Sequence, residues 1–141
     1  MFRFICILEE MLPRGELKRI ARTRLEEARL LFRAGKYDGA AYLCGYSVEL
    51  GLKARICTTL KWEGFPESSK EFQQYASFRT HDLEILLSLS GREGRIGNLF
   101  PNDWLGVTSW RPEMRYGRIG TSSQANVELM IASAAKILKA L

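Results

Sequence analysis

The stretch Asp38–Lys61, DGAAYLCGYSVELGLKARICTTLK, decides the fold. It contains no proline, and at ~1.5 Å per residue one helix over it would run about 36 Å. Ala40, Cys44, Ser47, Gly51 and Ala54 recur at the spacing of a single helix face, and every one of them is small. Ala41, Gly45, Val48 and Leu52 make a second face, and Leu43, Tyr46, Leu50 and Cys57 a third. A helix apolar on most sides is the buried centre of a bundle. Glycine inside a helix costs about 1 kcal/mol relative to alanine, so Gly45 and Gly51 predict close approach by a neighbouring backbone. Glu49 and Lys53, four apart, are the few charges that interrupt the middle.

Working outward, residues 16–34 place Leu17, Ile20, Ala21, Leu25, Ala28, Leu31 and Phe32 on one stripe, with Arg22, Glu26, Arg29 and Arg33 opposite. This is an amphipathic helix. Ala34-Gly35 ends it, and Asp38 is positioned to cap the next one. So short a connection makes the two helices antiparallel neighbours. Residues 1–14 form an N-terminal extension that reads as a short helix, an edge strand, or residues ahead of a start at Met11.

Beyond Lys61, Trp62–Pro66 is a break, and Ser68 with Glu71 has capping-box spacing for a short helix through about Phe78. Thr80 is positioned to cap a further helix, whose inward face is Leu83, Leu86, Leu87 and Ser90 and whose end is Gly91. Residues 91–120, rich in glycine, read as a long irregular connection with one turn of helix near Asn102–Leu105. Thr121 and Gln124 again have capping-box spacing, ahead of an apolar stripe of Val127, Met130, Ile131, Ala134, Ile137, Leu138 and Leu141. No strand pattern of any strength is present. The expectation is an all-α, up-and-down bundle of four to five helices, one domain over residues 1–141.

Net charge is +5. The excess sits in residues 1–36 and in the C-terminal half, a distribution that permits binding to a polyanion without requiring it. Cys6, Cys44 and Cys57 are too scattered for a disulfide framework, and Cys44 and Cys57 would lie roughly 20 Å apart along one helix. They read as small buried thiols in a reducing cytoplasm. No Cys/His cluster suggests zinc, so neither metal nor cofactor is expected. No apolar run approaches the ~20 residues that cross a membrane, and MFRFICIL lacks the cleavage site of a signal peptide.

His81, the only histidine, stands between Arg79 and Asp82 at a helix start. There it serves as a general acid or base, or it bonds Asp82 or a carbonyl and is structural; the residues favour the second reading. GREGRIG at 91–97 lacks the Lys-Ser/Thr ending of a phosphate loop. Trp110–Tyr116, WRPEMRY, sets arginines beside aromatics, a pairing that stacks bases and forks to phosphate or else plugs a core. Arg92, Arg95, Arg111 and Arg118 form the candidate nucleic-acid-binding set. Glu49, buried by its surroundings, needs a charged partner, and Arg115 is the expected one, pinning the 91–120 span to the central helix.

The arginine-rich first helix, Gly35–Ala54, the His-Asp-Leu start at 81–83 and the WRPEMRY string together resemble the HEPN family, small helical domains named for nucleotide binding in higher eukaryotes and prokaryotes. The resemblance runs from about Leu17 to Leu141. It implies a bundle that is often a homodimer, often belongs to a prokaryotic toxin–antitoxin or defence system, and sometimes works beside a minimal nucleotidyltransferase partner. Catalytic members are metal-independent ribonucleases with an arginine four to six residues before a histidine. Here Arg79 is only two residues before His81, and residues 126–141 contain no histidine. The expectation is therefore a non-catalytic, cytoplasmic protein that binds nucleotide or RNA. The alternatives are a ribonuclease using His81 with Arg79 or Arg115, and an antitoxin or scaffold module that binds only protein.

Overall fold

The computed structural model describes residues 11–66 and 76–141. In order these form strand β1 (Met11–Pro13), helix α1 (Arg14–Arg33), helix α2 (Tyr37–Thr59), strand β2 (Gly64–Pro66), a 3-10 turn (Ala76–Phe78), α3 (Leu83–Ser90), α4 (Glu93–Leu99), α5 (Pro101–Val107), a second 3-10 turn (Pro112–Tyr116) and α6 (Gln124–Ala140). The MFRFICIL segment with Cys6 lies outside the described residues, as does the helix expected from Ser68 through about Phe78 apart from its last part, the 3-10 turn Ala76–Phe78.

α2 is the axis. All five residues of its small face, Ala40, Cys44, Ser47, Gly51 and Ala54, are buried. α1 packs along it through Leu17, Ala21, Leu25 and Ala28, the apolar stripe read from sequence. α6 packs against α2, α1 and α5 through Val127, Met130, Ile131, Ala134 and Ile137. The buried side chains join in one contiguous core. Cys44 and Cys57 are free thiols; burial pushes the first up to about 12 and the second to about 11, so both stay protonated and unreactive at neutral pH.

The small positions of α2 admit side chains more than backbones. A Cβ on Gly51 would run into the end of the Leu138 side chain, and one on Gly45 would sit inside the Trp110 indole. Trp110 is 1% exposed, and its Nε1 donates to the Tyr42 carbonyl at 3.0 Å. Of the two aromatics in the WRPEMRY string, only Trp110 plugs the core; Tyr116 is exposed.

Several local expectations need correction. The span 91–120 is largely helical: buried Ile96 anchors α4, and Pro101 opens α5 at a position where its missing N–H is no loss. Six α-helices stand among the described residues, the short α4 and α5 included. Two three-residue strands pair antiparallel, Leu12 with Phe65, too short for alternation to be visible in sequence. Asp82, not Thr80, caps α3, and Ser123, not Thr121, caps α6. Asp38 caps nothing on its own helix. It lies inside the first turn of α2, and its carboxylate accepts from the Gly120 N–H at 2.6 Å and the Ser122 N–H at 2.9 Å, tying down the approach to α6.

Two measurements follow from these contacts. Gly45→Ala should destabilise the wild type by ~1–3 kcal/mol through overpacking against the indole. In a Trp110→Ala background the same change should be neutral or stabilising, because alanine is the better helix former by about 1 kcal/mol. An equal cost in both backgrounds, by chemical denaturation, would refute the contact.

The Asp38 carboxyl is held below its ordinary 3.8, first by the Gly120 N–H and then by the Ser122 N–H. Because the folded value is the lower one, this stabilisation is complete above the unfolded pKa and is lost as pH falls through the folded value. The melting-temperature gap between wild type and Asp38→Ala should accordingly be open at pH 7 and close in the acid range below 3.8. A gap that persists there would show that the loss is not electrostatic.

Candidate functional site

Tyr42, Tyr46, Glu49 and Lys53 recur at four, three and four residues, so one face of α2 carries two phenols, a carboxylate and an ammonium. Glu49 is 1% exposed. A carboxylate so far from water must be met by donors or cations. His81 supplies the close contact, with Nδ1 2.5 Å from Oε1, and Lys53 the longer one, with Nζ 3.8 Å from Oε2.

The helix start places the histidine. Asp82 accepts from the N–H groups of Glu84 and Ile85, and Thr80 Oγ1 accepts from the Asp82 N–H. These bonds fix the turn before α3 and leave His81 facing α2. A carboxylate only accepts, so Nδ1 carries the hydrogen and Nε2 is left for another partner. The His81 side chain is 64% exposed. The pair has one buried end and one open end.

Around it lies a cavity of about 290 Å³ lined by Tyr46, Glu49, Leu50 and Lys53 from α2, Leu12, Phe65 and Pro66 from the strands, and Phe78–His81. Trp62 packs on Phe78 and Phe65 with ring centres 5.0 and 6.4 Å apart, giving the cavity an aromatic wall. Lys53 Nζ sits 5.3 Å from the centre of the Phe65 ring, a cation–π contact. Burial, then the nearby Glu49, pushes the Tyr46 phenol upward, so its hydroxyl keeps its proton as a neutral donor. Cations and donors beside aromatic faces suit a phosphate with a base attached. An imidazole oriented by a carboxylate suits proton transfer.

His81 and Arg79 therefore line one cavity, together with Glu49. His81 bonds neither Asp82 nor a carbonyl but the carboxylate expected to pair with Arg115. The Glu49–Arg115 pair does not form. Arg115 lies over the Tyr116 ring at 5.0 Å, and its charged form is favoured first by the Tyr42 hydroxyl. Tyr42 and Glu49 share a face of α2 but stand seven residues, about 10 Å, apart. The 108–117 span is thus pinned to α2 two turns short of Glu49, with the Trp110 bond to Tyr42 acting at the same level.

Among the other candidates, Arg95 and Arg118 are exposed, and Arg111 Nη1 turns back onto the carbonyls of Thr108 and Trp110 at 2.8 and 2.7 Å. Arg92 is half-buried and adds its charge to that of Arg55 on α2. Tyr46 and Lys53 were missed as cavity residues. Their four-and-three spacing around Glu49 was the available signal. Among the described residues no group of three or more His, Cys, Asp or Glu side chains could hold a metal ion, and no helix is long and apolar enough to cross a membrane.

The sequence model of the HEPN domain matches residues 15–67. The HEPN match spans α1, α2 and β2, and so includes Tyr46, Glu49 and Lys53 but stops before His81. No curated protein and no solved structure matches the chain. The described residues form a helical bundle with one small two-stranded sheet, consistent with an all-α HEPN-like fold.

Removing His81 leaves Glu49 buried with only a distant lysine. His81→Ala should cost ~1–3 kcal/mol, the range for a stranded buried acceptor. Glu49→Ala should make the subsequent loss of His81 nearly free, since the imidazole is open to water. A double-mutant cycle by denaturation should therefore be non-additive by ~0.5–3 kcal/mol. Additive losses would mean that the two groups do not interact.

Proposed function

We propose that this chain is a HEPN-type protein that binds nucleotide or single-stranded RNA, with the Glu49–His81 cavity as its central contact. HEPN domains are associated with nucleotide- and RNA-related function, and they often dimerise. The observation that carries the reading is the convergence of Lys53, Arg79 and the open end of His81 on one cavity with an aromatic wall. Arg92, Arg95, Arg111 and Arg118 extend the binding surface through phosphate contacts. A homodimer, a minimal nucleotidyltransferase as neighbour, and a prokaryotic toxin–antitoxin or defence setting in the cytoplasm belong to the same proposal, supported by the family resemblance. The protein-only antitoxin or scaffold role is the outcome if no RNA binds.

A second reading has an observation of its own. His81 has the arrangement of a general base or acid, with Nδ1 fixed by a buried carboxylate and Nε2 free to exchange a proton. On that reading the chain is a metal-independent ribonuclease whose arginine is Arg79, two residues before the histidine.

One set of experiments separates these outcomes. Single-stranded RNA should bind with a salt slope of about −0.7 per phosphate neutralised. Arg111→Ala with Arg118→Ala should flatten that slope by roughly one to one and a half units while the bundle stays folded. Lys53→Gln should weaken binding at every salt concentration. Intact RNA after incubation in EDTA is expected; cleavage abolished by His81→Gln would move the assignment to ribonuclease. A folded protein that binds neither RNA nor nucleotide at low salt would overturn both readings.

A further inference from the structure

We propose a second ligand site, for a phosphate group, in the basic cavity between α1, α2 and α6. Gly51 follows Glu49 by two residues, about 200° around α2, so this cavity opens on the side of the helix away from the Glu49–His81 pair. Its volume is about 300 Å³. Four cations line it: Lys18 and Arg22, one turn apart on α1, Arg55 on α2, and Lys139 on α6. Among the described residues no carboxylate side chain lines it, and Leu141, whose main-chain oxygen accepts from Arg55, completes the wall. The floor is Ala21, Gly51 and Leu138, where the missing side chain of Gly51 lets Leu138 lie against α2.

Arg55 is the reason to expect an anion rather than a solvated patch. Its Nη1 makes one long bond, 3.3 Å, to the Leu141 main-chain oxygen. Its Nε is buried and has no hydrogen-bond partner, and the same is true of Arg92 Nε. A buried donor left unmade costs about 1–3 kcal/mol, and more when it is charged. Arg92 stands close enough to Arg55 to disfavour its charge, an effect second only to burial. With a second guanidinium near it and three exposed cations beside it, Arg55 gains most from an oxyanion that accepts several N–H bonds together. Phosphate does so, and a guanidinium binds it through paired N–H groups.

The phosphate is presented either by a small phosphorylated molecule or by an RNA terminus. The test uses the full chain and follows its melting temperature in inorganic phosphate against chloride at equal ionic strength. Phosphate should raise the melting temperature in a saturable way. Arg22→Gln with Lys139→Gln, both at exposed positions, should fold and weaken phosphate binding about tenfold or more, the effect of losing charge-assisted bonds. Lys53→Gln, in the other cavity, should keep the full phosphate response, so failure of the RNA reading leaves this test intact. Adenosine 5′-monophosphate outdoing phosphate would identify the small-molecule source. Tighter binding of 5′-phosphorylated than of 5′-hydroxyl RNA, lost in the Arg22/Lys139 variant, would identify the RNA terminus. No phosphate-specific shift, or a shift that survives in that variant or disappears in Lys53→Gln, would overturn the proposal.

Discussion

The indole of Trp110 lies against Gly45, and no other residue type at position 45 would let it do so. That contact exemplifies the constraint on the whole bundle, which is that α2 must be thin. Each neighbour approaches a different side of one helix, so each side needs small residues where the approach is closest. Ala40, Cys44 and Ala54 are buried small residues, Gly51 receives Leu138, and Gly45 receives the tryptophan. Two glycines in a helix interior cost about 2 kcal/mol of propensity together. Fully burying Trp110 and partly burying Leu138 offset that, since a fully buried large apolar side chain contributes on the order of 1.5–3 kcal/mol.

A helix enclosed this way has little room for polar groups, which makes the exception at Glu49 informative. Its carboxylate is buried to 1% exposure, yet its partner His81 is mostly open. Because the imidazole keeps its hydration, only the carboxylate bears the desolvation cost of the contact. An oriented imidazole at the mouth of a cavity gains a defined tautomer and a defined direction. The same helix carries, on its far side, Arg55 with a stranded donor. α2 is thus both the centre of the core and the wall of two cavities of different make-up, one built around a carboxylate and one lined by four cations.

The polar contacts among the outer elements do a different job. Asp38 holds the loop before α6, Trp104 Nε1 donates to Glu84 at 2.8 Å, and Asp103 meets Ser133 and Lys136 of α6. These tie the 91–120 span and α6 to the bundle at separate points. That is why a segment rich in glycine takes up helices, although its composition reads as a loop.

The sequence by itself determined the all-α class, the central place of α2, the packed face of α1 and the stripe of α6. Hydrophobic periodicity is a local property, repeated every three to four residues over long helices, and it survives without knowledge of neighbours. It also marked Glu49 as a charge in need of a partner, because the apolar residues around it are adjacent in the chain. The identity of that partner was decided only in three dimensions. Arg115 and His81 are both distant from Glu49 in sequence, and the choice between them depends on where each loop docks along α2. Trp110 and Tyr42 fix one loop two turns too early, while the Asp82 cap and the turn before α3 bring the imidazole to the right level. The short helices α4 and α5 were hidden for a related reason: each is held by one or two buried side chains, Ile96 in one and Trp104 and Val107 in the other, and seven residues are too few to show a period. The cation-lined cavity was equally invisible, because its residues come from three helices and only their packing makes them neighbours.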